Sequence, residues 1–304
     1  MIGAPAPLPD SKPRHWIACA DDFAIEESVV DAILELIERG RLTATSALVD
    51  SPLWPQAAQR LQAQLAQKQS GQFLARADVG LHLNLTQAFA ACTERVWPLA
   101  ELIARCALGA LPRGLLRAAI ERQLDAFENA MGRRPDYVDG HQHVHQFAVV
   151  RDTLLNVLLQ RYENNLPWLR STRAPRAVRD LKARGIAALG DRSLRKLAAA
   201  AQFHTSAYLV GVYDFHADSA AYWQRLRRWL RDGPEASVLM THPALRAPRG
   251  DPLAAARPME FAVLASAQFG ALLTQSRITL TTGTRLFATT SNGSTAISKA
   301  QTDL

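Results

Sequence analysis

His141, His143 and His145 stand at every second position in Tyr137-Val138-Asp139-Gly140-His141-Gln142-His143-Val144-His145, in a chain with eight histidines among 304 residues. Alternate side chains of an extended segment share a face, so the spacing predicts three imidazoles side by side if the strand runs that far. Imidazole is a common metal ligand near neutral pH, and Asp139 would either join as a ligand or, the reading we favour, orient His141 through its second nitrogen. Two further apolar runs carry ionisable groups, Ala18-Cys19-Ala20-Asp21-Asp22-Phe23 and Val79-Gly80-Leu81-His82-Leu83-Asn84-Leu85. An unpaired charge in a buried strand is costly, so three such strands ask for one shared explanation, a cation site. Each also has a plainer use: Asp21 and Asp22 as helix caps, His82 as a hydrogen-bonded core histidine, His242 before Pro243 as a strand end.

The elements that would position these residues alternate. Strands are predicted at about 15–20, 45–49, 79–85, 168–172, 236–240 and 278–280, besides the strand carrying the histidine run, and 206–212 reads as an apolar segment. Helices are predicted at about 28–39, 56–67, 115–131, 149–162, 220–231 and 259–275, with a short helix and loop over 97–108 and a basic helical stretch over 177–201. Seven or eight mostly parallel strands alternating with helices indicate a single-domain α/β fold. Chemistry-bearing residues recur at strand C-terminal ends, which favours a (β/α) barrel-like closure over an open sheet. Neither G-x-G-x-x-G nor G-x-x-x-x-G-K-[ST] occurs, which argues against a nucleotide-phosphate cradle.

Composition sets the outer limits. At 48% hydrophobic and 21% charged residues the chain reads as an ordinary globular protein. The net charge of +7 is scattered over helices without a basic stripe of interleaved aromatics, so no nucleic-acid partner is expected. The three cysteines, Cys19, Cys92 and Cys106, are odd in number and form no C-x-x-C pair, which points to a reducing cytoplasm. No segment has the length of a membrane span or signal core. Residues 1–14 read as an N-terminal extension, 15–288 as the domain and 289–304 as a frayed tail. Nothing in the sequence assigns an oligomeric state.

Ala20-Asp21-Asp22-Phe23, Leu42-Thr43-Ala44-Thr45-Ser46, Gly80-Leu81-His82-Leu83-Asn84-Leu85-Thr86, Pro135 through His145, and Met240-Thr241-His242-Pro243 resemble the successive motifs of the YdjC-like carbohydrate deacetylases, the family that includes the ChbG and HpnK groups. Order and approximate spacing match over residues 15 to about 287. The resemblance implies a metal-dependent deacetylase on a barrel-like fold, removing the acetyl group from an N-acetylated amino sugar of an oligosaccharide or glycolipid. It implies Asp22, His82 and His141 as ligands of one divalent ion, Mg2+ or Zn2+, Asp21 as general base and His242 as acid. His143 and His145 then read as positioning or structural, and Arg170 as a substrate contact or a solvated side chain. Two departures stand out: Ala24 occupies a position where the family usually has glycine, and the basic stretch 173–196 matches none of the motifs.

That chemistry makes sense for an amide. Hydrolysis needs an activated water, charge stabilisation on the carbonyl oxygen and a proton for nitrogen, and a cation on one carboxylate and two imidazoles leaves room for the first two. Aspartate and two histidines suit zinc, whereas magnesium prefers oxygen ligands. A metal-dependent phosphoester hydrolase, which would want more carboxylates, and a non-catalytic sugar-binding relative are the alternatives.

Overall fold

The computed structural model describes residues 12–66, 77–90, 95–163, 165–178, 180–216 and 218–288. Most of the expected N-terminal extension, the tail from 289 and Cys92 lie outside the described residues. Among the described residues there are eight strands: β1 (Arg14–Phe23), β2 (Ala44–Ala47), β3 (Asp78–Leu83), β4 (Tyr137–Gly140), β5 (Trp168–Leu169), β6 (Tyr208–Val210), β7 (Ser237–Thr241) and β8 (Ile278–Leu280). Every pairing is parallel, in the order β5-β4-β3-β2-β1-β7-β6, with β8 alongside the start of β1. An isolated parallel bridge between Leu169 and Thr205, just before β6, links the two ends and curls the sheet towards a barrel.

Helices close the outer face for the reason their periodicity gives. In Arg113–Met131 the residues Leu116, Ile120, Leu124, Phe127 and Met131 are buried on one stripe, and Gly132 ends the helix in the left-handed region at φ 65°. Within the strands, side-chain alternation sorts two cores. Ala18 and Ala20 of β1, Leu81 of β3, Val138 of β4 and Leu239 of β7 pack outward under the helices. Ile17, Cys19, Ala44, Tyr137, Trp168, Val238 and Met240 pack inward. Continuing that inward alternation towards the strand C-termini gives Asp21, Ser46, His82, Asp139, Arg170 and His242: one ionisable or hydroxyl side chain from each of six strands or their immediate extensions. Gly80 makes room for this layer, because a Cβ there would stand 2.5 Å from the Tyr137 ring.

Three expectations need correcting. The histidine run is not a strand: β4 stops at Gly140, and 141–146 form a 3-10 turn in which Gln142 and His143 take left-handed φ of 53° and 61°. Gly140 allows that reversal, since a Cβ there would lie 2.9 Å from the His145 amide nitrogen. Thus the three rings do not share one face. The basic stretch is two helices, Leu181–Ala188 and Asp191–Ala200, separated at Gly190. The late helix likewise divides into Ala256–Ala265 and Ala267–Gln275, with Ser266 accepting from the Phe269 amide to cap the second.

Ala24 has a physical explanation. Its φ is 74°, a left-handed conformation that costs an L-residue about 1–2 kcal/mol and glycine little. Allowing for glycine's larger unfolded-state entropy, Ala24→Gly is expected to stabilise the protein by roughly 0.5–1 kcal/mol, seen as a rise of about 1–3 °C in melting temperature. A lower melting temperature would show that the methyl group contributes packing that outweighs the strain.

Candidate active site

Asp21 and Asp22 would point to opposite faces of a regular strand. Asp22 instead takes φ 65°, so both carboxyls serve the same end of the barrel. Asp22 Oδ1 lies 3.0 Å from His141 Nδ1 and 3.5 Å from His82 Nε2, and one ligand atom from each of the three residues falls within 4.8 Å of the others. Two ligands bonded at about 2.0–2.1 Å with tetrahedral angles stand roughly 3.3 Å apart, so these residues fit a single ion. Asp139 orients His82 rather than His141, the expected partner: His82 Nδ1–H donates to Asp139 Oδ1 at 2.6 Å, which leaves Nε2 free to ligate, while the His141 ring faces Asp22.

Electrostatics favour a cation here. Burial opposes charge on His82, but Asp139 with its hydrogen bond, and then Asp21 and Asp22, outweigh it and push its pKa up to about 10. Burial also works against ionised Asp22, and Arg257 and His141 overcome it, holding the carboxyl well below its usual range. A metal held here would therefore compete with the proton for His82 Nε2. Zinc affinity of the metal-free protein is expected to rise about tenfold per pH unit from pH 7 to 9, measured by competition with a chromophoric chelator. An affinity independent of pH in that range would rule out His82 as a ligand.

A second cluster, Cys19, Asp21 and Asp139, has metal-like composition but is already filled by a guanidinium. Arg170 Nη1 and Nη2 lie 2.5 and 2.8 Å from the two oxygens of Asp21, and Nη2 is 3.0 Å from Asp139 Oδ2. Asp139 Oδ2 also accepts from Ser46 Oγ at 2.6 Å. Burial alone would raise the pKa of Asp21, but Arg170 and His82 hold its carboxyl far below the normal range. This filled cluster argues against the two-metal arrangement of many phosphoester hydrolases. Burial raises the Cys19 thiol well above its usual range, which disfavours the thiolate form a nucleophile needs.

The remaining candidates separate. His242 Nε2 lies 4.0 Å from Asp21 Oδ2, and burial lowers its pKa to about 4, so it rests neutral. His145 is buried and donates from Nε2 to the Arg170 carbonyl at 2.8 Å, and burial likewise lowers its pKa to about 4. Burial, then Arg170, keeps His143 neutral. Asp21, Asp22, His82, His141, His143 and His242 all line one cavity of about 620 Å³, whereas Asp139, His145 and Arg170 lie behind it. Arg170, fully buried, is a clamp rather than a solvated side chain.

Sequence reasoning missed Ser46, Tyr137, Arg257 and Glu260. Ser46 Oγ and Tyr137 OH hydrogen-bond at 2.7 Å beneath Asp139. Arg257 grips Asp22 Oδ2 at 2.7 Å, and Glu260 accepts from the His242 amide at 2.6 Å. Burial pushes the Glu260 pKa up to about 7. Strand alternation could have found Ser46 and Tyr137, two residues apart from inward neighbours; Arg257 and Glu260 are charges one turn apart on a helix face.

Fold and site together define an α/β barrel-like protein with an Asp-His-His cluster, able to hold a cation, gathered at the C-terminal side of its strands. The chain belongs to the YdjC-like protein family, whose model matches residues 16–275. It is 31% identical over 149 residues to a chitooligosaccharide deacetylase of Escherichia fergusonii, covering 45% of this chain and 52% of that protein. It is 30% identical over 148 residues to a human carbohydrate deacetylase, covering 44% and 42%. These alignments span about half the length of those relatives. A chitooligosaccharide deacetylase of Serratia marcescens aligns more extensively, at 26% identity over 75% of this chain and 81% of that one. Among solved structures, a candidate cellobiose-phosphate cleavage protein from Enterococcus faecalis shares the fold with TM-score 0.63 and 22% identity, over 89% and 98% of the two chains. Among the described residues, no helix is long and apolar enough to cross a membrane.

Proposed function

We propose that the chain is a metal-dependent carbohydrate N-deacetylase that hydrolyses the acetamide of an acetylated amino sugar to acetate and free amine. The observation that carries this reading is the convergence of Asp22, His82 and His141 beside Asp21 and His242 on one cavity. Asp22, His82 and His141 would hold the ion, and two imidazoles with one carboxylate favour zinc over magnesium. When bound, such an ion polarises the acetyl carbonyl and lowers the pKa of water.

The protein's own groups handle the protons. Asp21, kept ionised and aimed by Arg170, accepts the attacking water's proton at Oδ2. His242 Nε2, 4.0 Å from that oxygen, takes the proton on and delivers it to the departing nitrogen as the C–N bond breaks. Because His242 rests neutral, the proton it gives up comes from the same water. The family relatives named as chitooligosaccharide deacetylases support that substrate class for a first assay. The free thiols of Cys19 and Cys106 fit a reducing compartment such as the cytoplasm.

The test is acetate release from diacetylchitobiose and longer chitooligosaccharides, before and after EDTA and again with zinc restored. Release that EDTA abolishes and zinc returns is expected. Turnover of aryl phosphates with none on acetylated sugars would overturn the proposal in favour of phosphoester hydrolysis.

A further inference from the structure

Helix Ala256–Ala265 lies outside the motifs that carry the family resemblance, yet it buries two charged side chains one turn apart, Arg257 and Glu260. Arg257 Nη2 is 2.7 Å from Asp22 Oδ2, and its Nε is 2.6 Å from Asp251 Oδ2. The first contact occupies one oxygen of Asp22 and leaves Oδ1 facing His82 and His141. The second reaches the segment 248–253, every residue of which lines the cavity. Within that segment Asp251 Oδ1 accepts from the Leu253 amide at 2.6 Å, and the Asp251 carbonyl accepts from the Ala254 amide at 3.0 Å, so Asp251 also shapes the wall it anchors. One guanidinium therefore touches a carboxylate of the cation site on one side and the cavity wall on the other.

We propose that Arg257 is a positioning residue that couples the cation site to the cavity wall: it fixes Asp22 as a one-oxygen ligand and holds 248–253 in place. This rests on reading Asp22, His82 and His141 as the cation site. A planar guanidinium can satisfy two carboxylates at once in fixed directions, whereas a lysine ammonium is a single point charge on a flexible stem. Without Arg257 the second oxygen of Asp22 is free to turn towards the ion, and Asp251 loses its buried partner. Outer partners of ligating carboxylates and histidines control ligand geometry, and removing one typically lowers metal affinity about 10–100-fold. Glu260 extends the same helix to the opposite half of the site through the His242 amide and the Tyr213 hydroxyl, which donates at 2.7 Å.

The experiment combines zinc titration with amide hydrogen exchange of residues 246–255 on the full chain, in wild type, Asp251→Asn, Arg257→Lys, Arg257→Gln and His82→Ala. Asp251→Asn is expected to speed exchange across the wall about tenfold while zinc affinity stays within about threefold, because only the wall side of the clamp is weakened. Arg257→Gln is expected to release the wall equally and also to weaken zinc about 10–100-fold. Arg257→Lys is expected to release the wall while keeping most of the affinity. Wild-type exchange in both Asp251→Asn and Arg257→Lys would overturn the proposal even if Arg257→Gln does not fold. Zinc affinity in a folded Arg257→Gln within threefold of wild type would overturn the coupling to the ion. Wild type that binds no zinc, or His82→Ala that binds it equally well, would instead refute the cation-site reading, while exchange in the metal-free variants still decides whether the clamp exists.

Discussion

His82→Ala is expected to abolish zinc binding and to lower acetate release at least about a thousandfold, with the fold retained. The ring occupies the centre of the site: Nδ1–H is fixed on Asp139 at 2.6 Å and Nε2 faces Asp22 Oδ1 at 3.5 Å. Removing it takes away one of the three proposed ligands and the group whose tautomer Asp139 sets. Asp139 keeps Ser46 Oγ at 2.6 Å and Arg170 Nη2 at 3.0 Å, so no buried carboxylate is orphaned and the stability loss should be small. Asp139→Asn separates the two roles, since an amide in either orientation supports the ring less well, and zinc affinity should fall about 10–100-fold without disappearing. Calorimetric titration with zinc and an acetate assay check both variants. Zinc affinity in His82→Ala within a few-fold of wild type would remove His82 from the centre.

Much of this arrangement was legible because strands impose a period of two. Apolar runs ending in Asp21-Asp22, His82 and His242 mark β1, β3 and β7 and place their chemistry at the C-terminal ends, and the helices over 27–38 and 113–131 follow directly from their apolar stripes. The histidine run misled because the same period reads as a strand whether or not the chain stays extended. Gly140 was the available signal that it does not, and the reversal there sends His141 to the cavity and His145 behind it. Arg170 was ambiguous because a sequence shows a charge and not its partner; only the fold brings Asp21 and Asp139 around it. Arg257 and Glu260 were hidden for the same reason, lying on a helix whose other residues gave no metal-like spacing.

Arg170→Ala is expected to be the most destabilising of the changes considered, by about 3–5 kcal/mol near neutral pH, because it strips the positive partner from two buried carboxylates. Arg170 is fully buried and holds both oxygens of Asp21 while touching Asp139. The pH dependence has a definite sign. In the wild type Arg170 depresses the Asp21 pKa in the folded state against the opposing effect of burial, so this pair stabilises the fold above the unfolded carboxylate pKa and the contribution fades as acid protonates the folded form. In the variant burial is opposed only by His82 and His242, the Asp21 pKa moves up from its wild-type value, and the variant recovers part of the lost stability as pH falls. The gap between the two proteins should therefore be widest near pH 7.5 and narrow towards pH 4.5, which thermal unfolding at the two pH values measures directly. Equal gaps at both would mean that lost packing, rather than uncompensated charge, sets the cost, and that Asp21 does not depend on Arg170 for its ionised state.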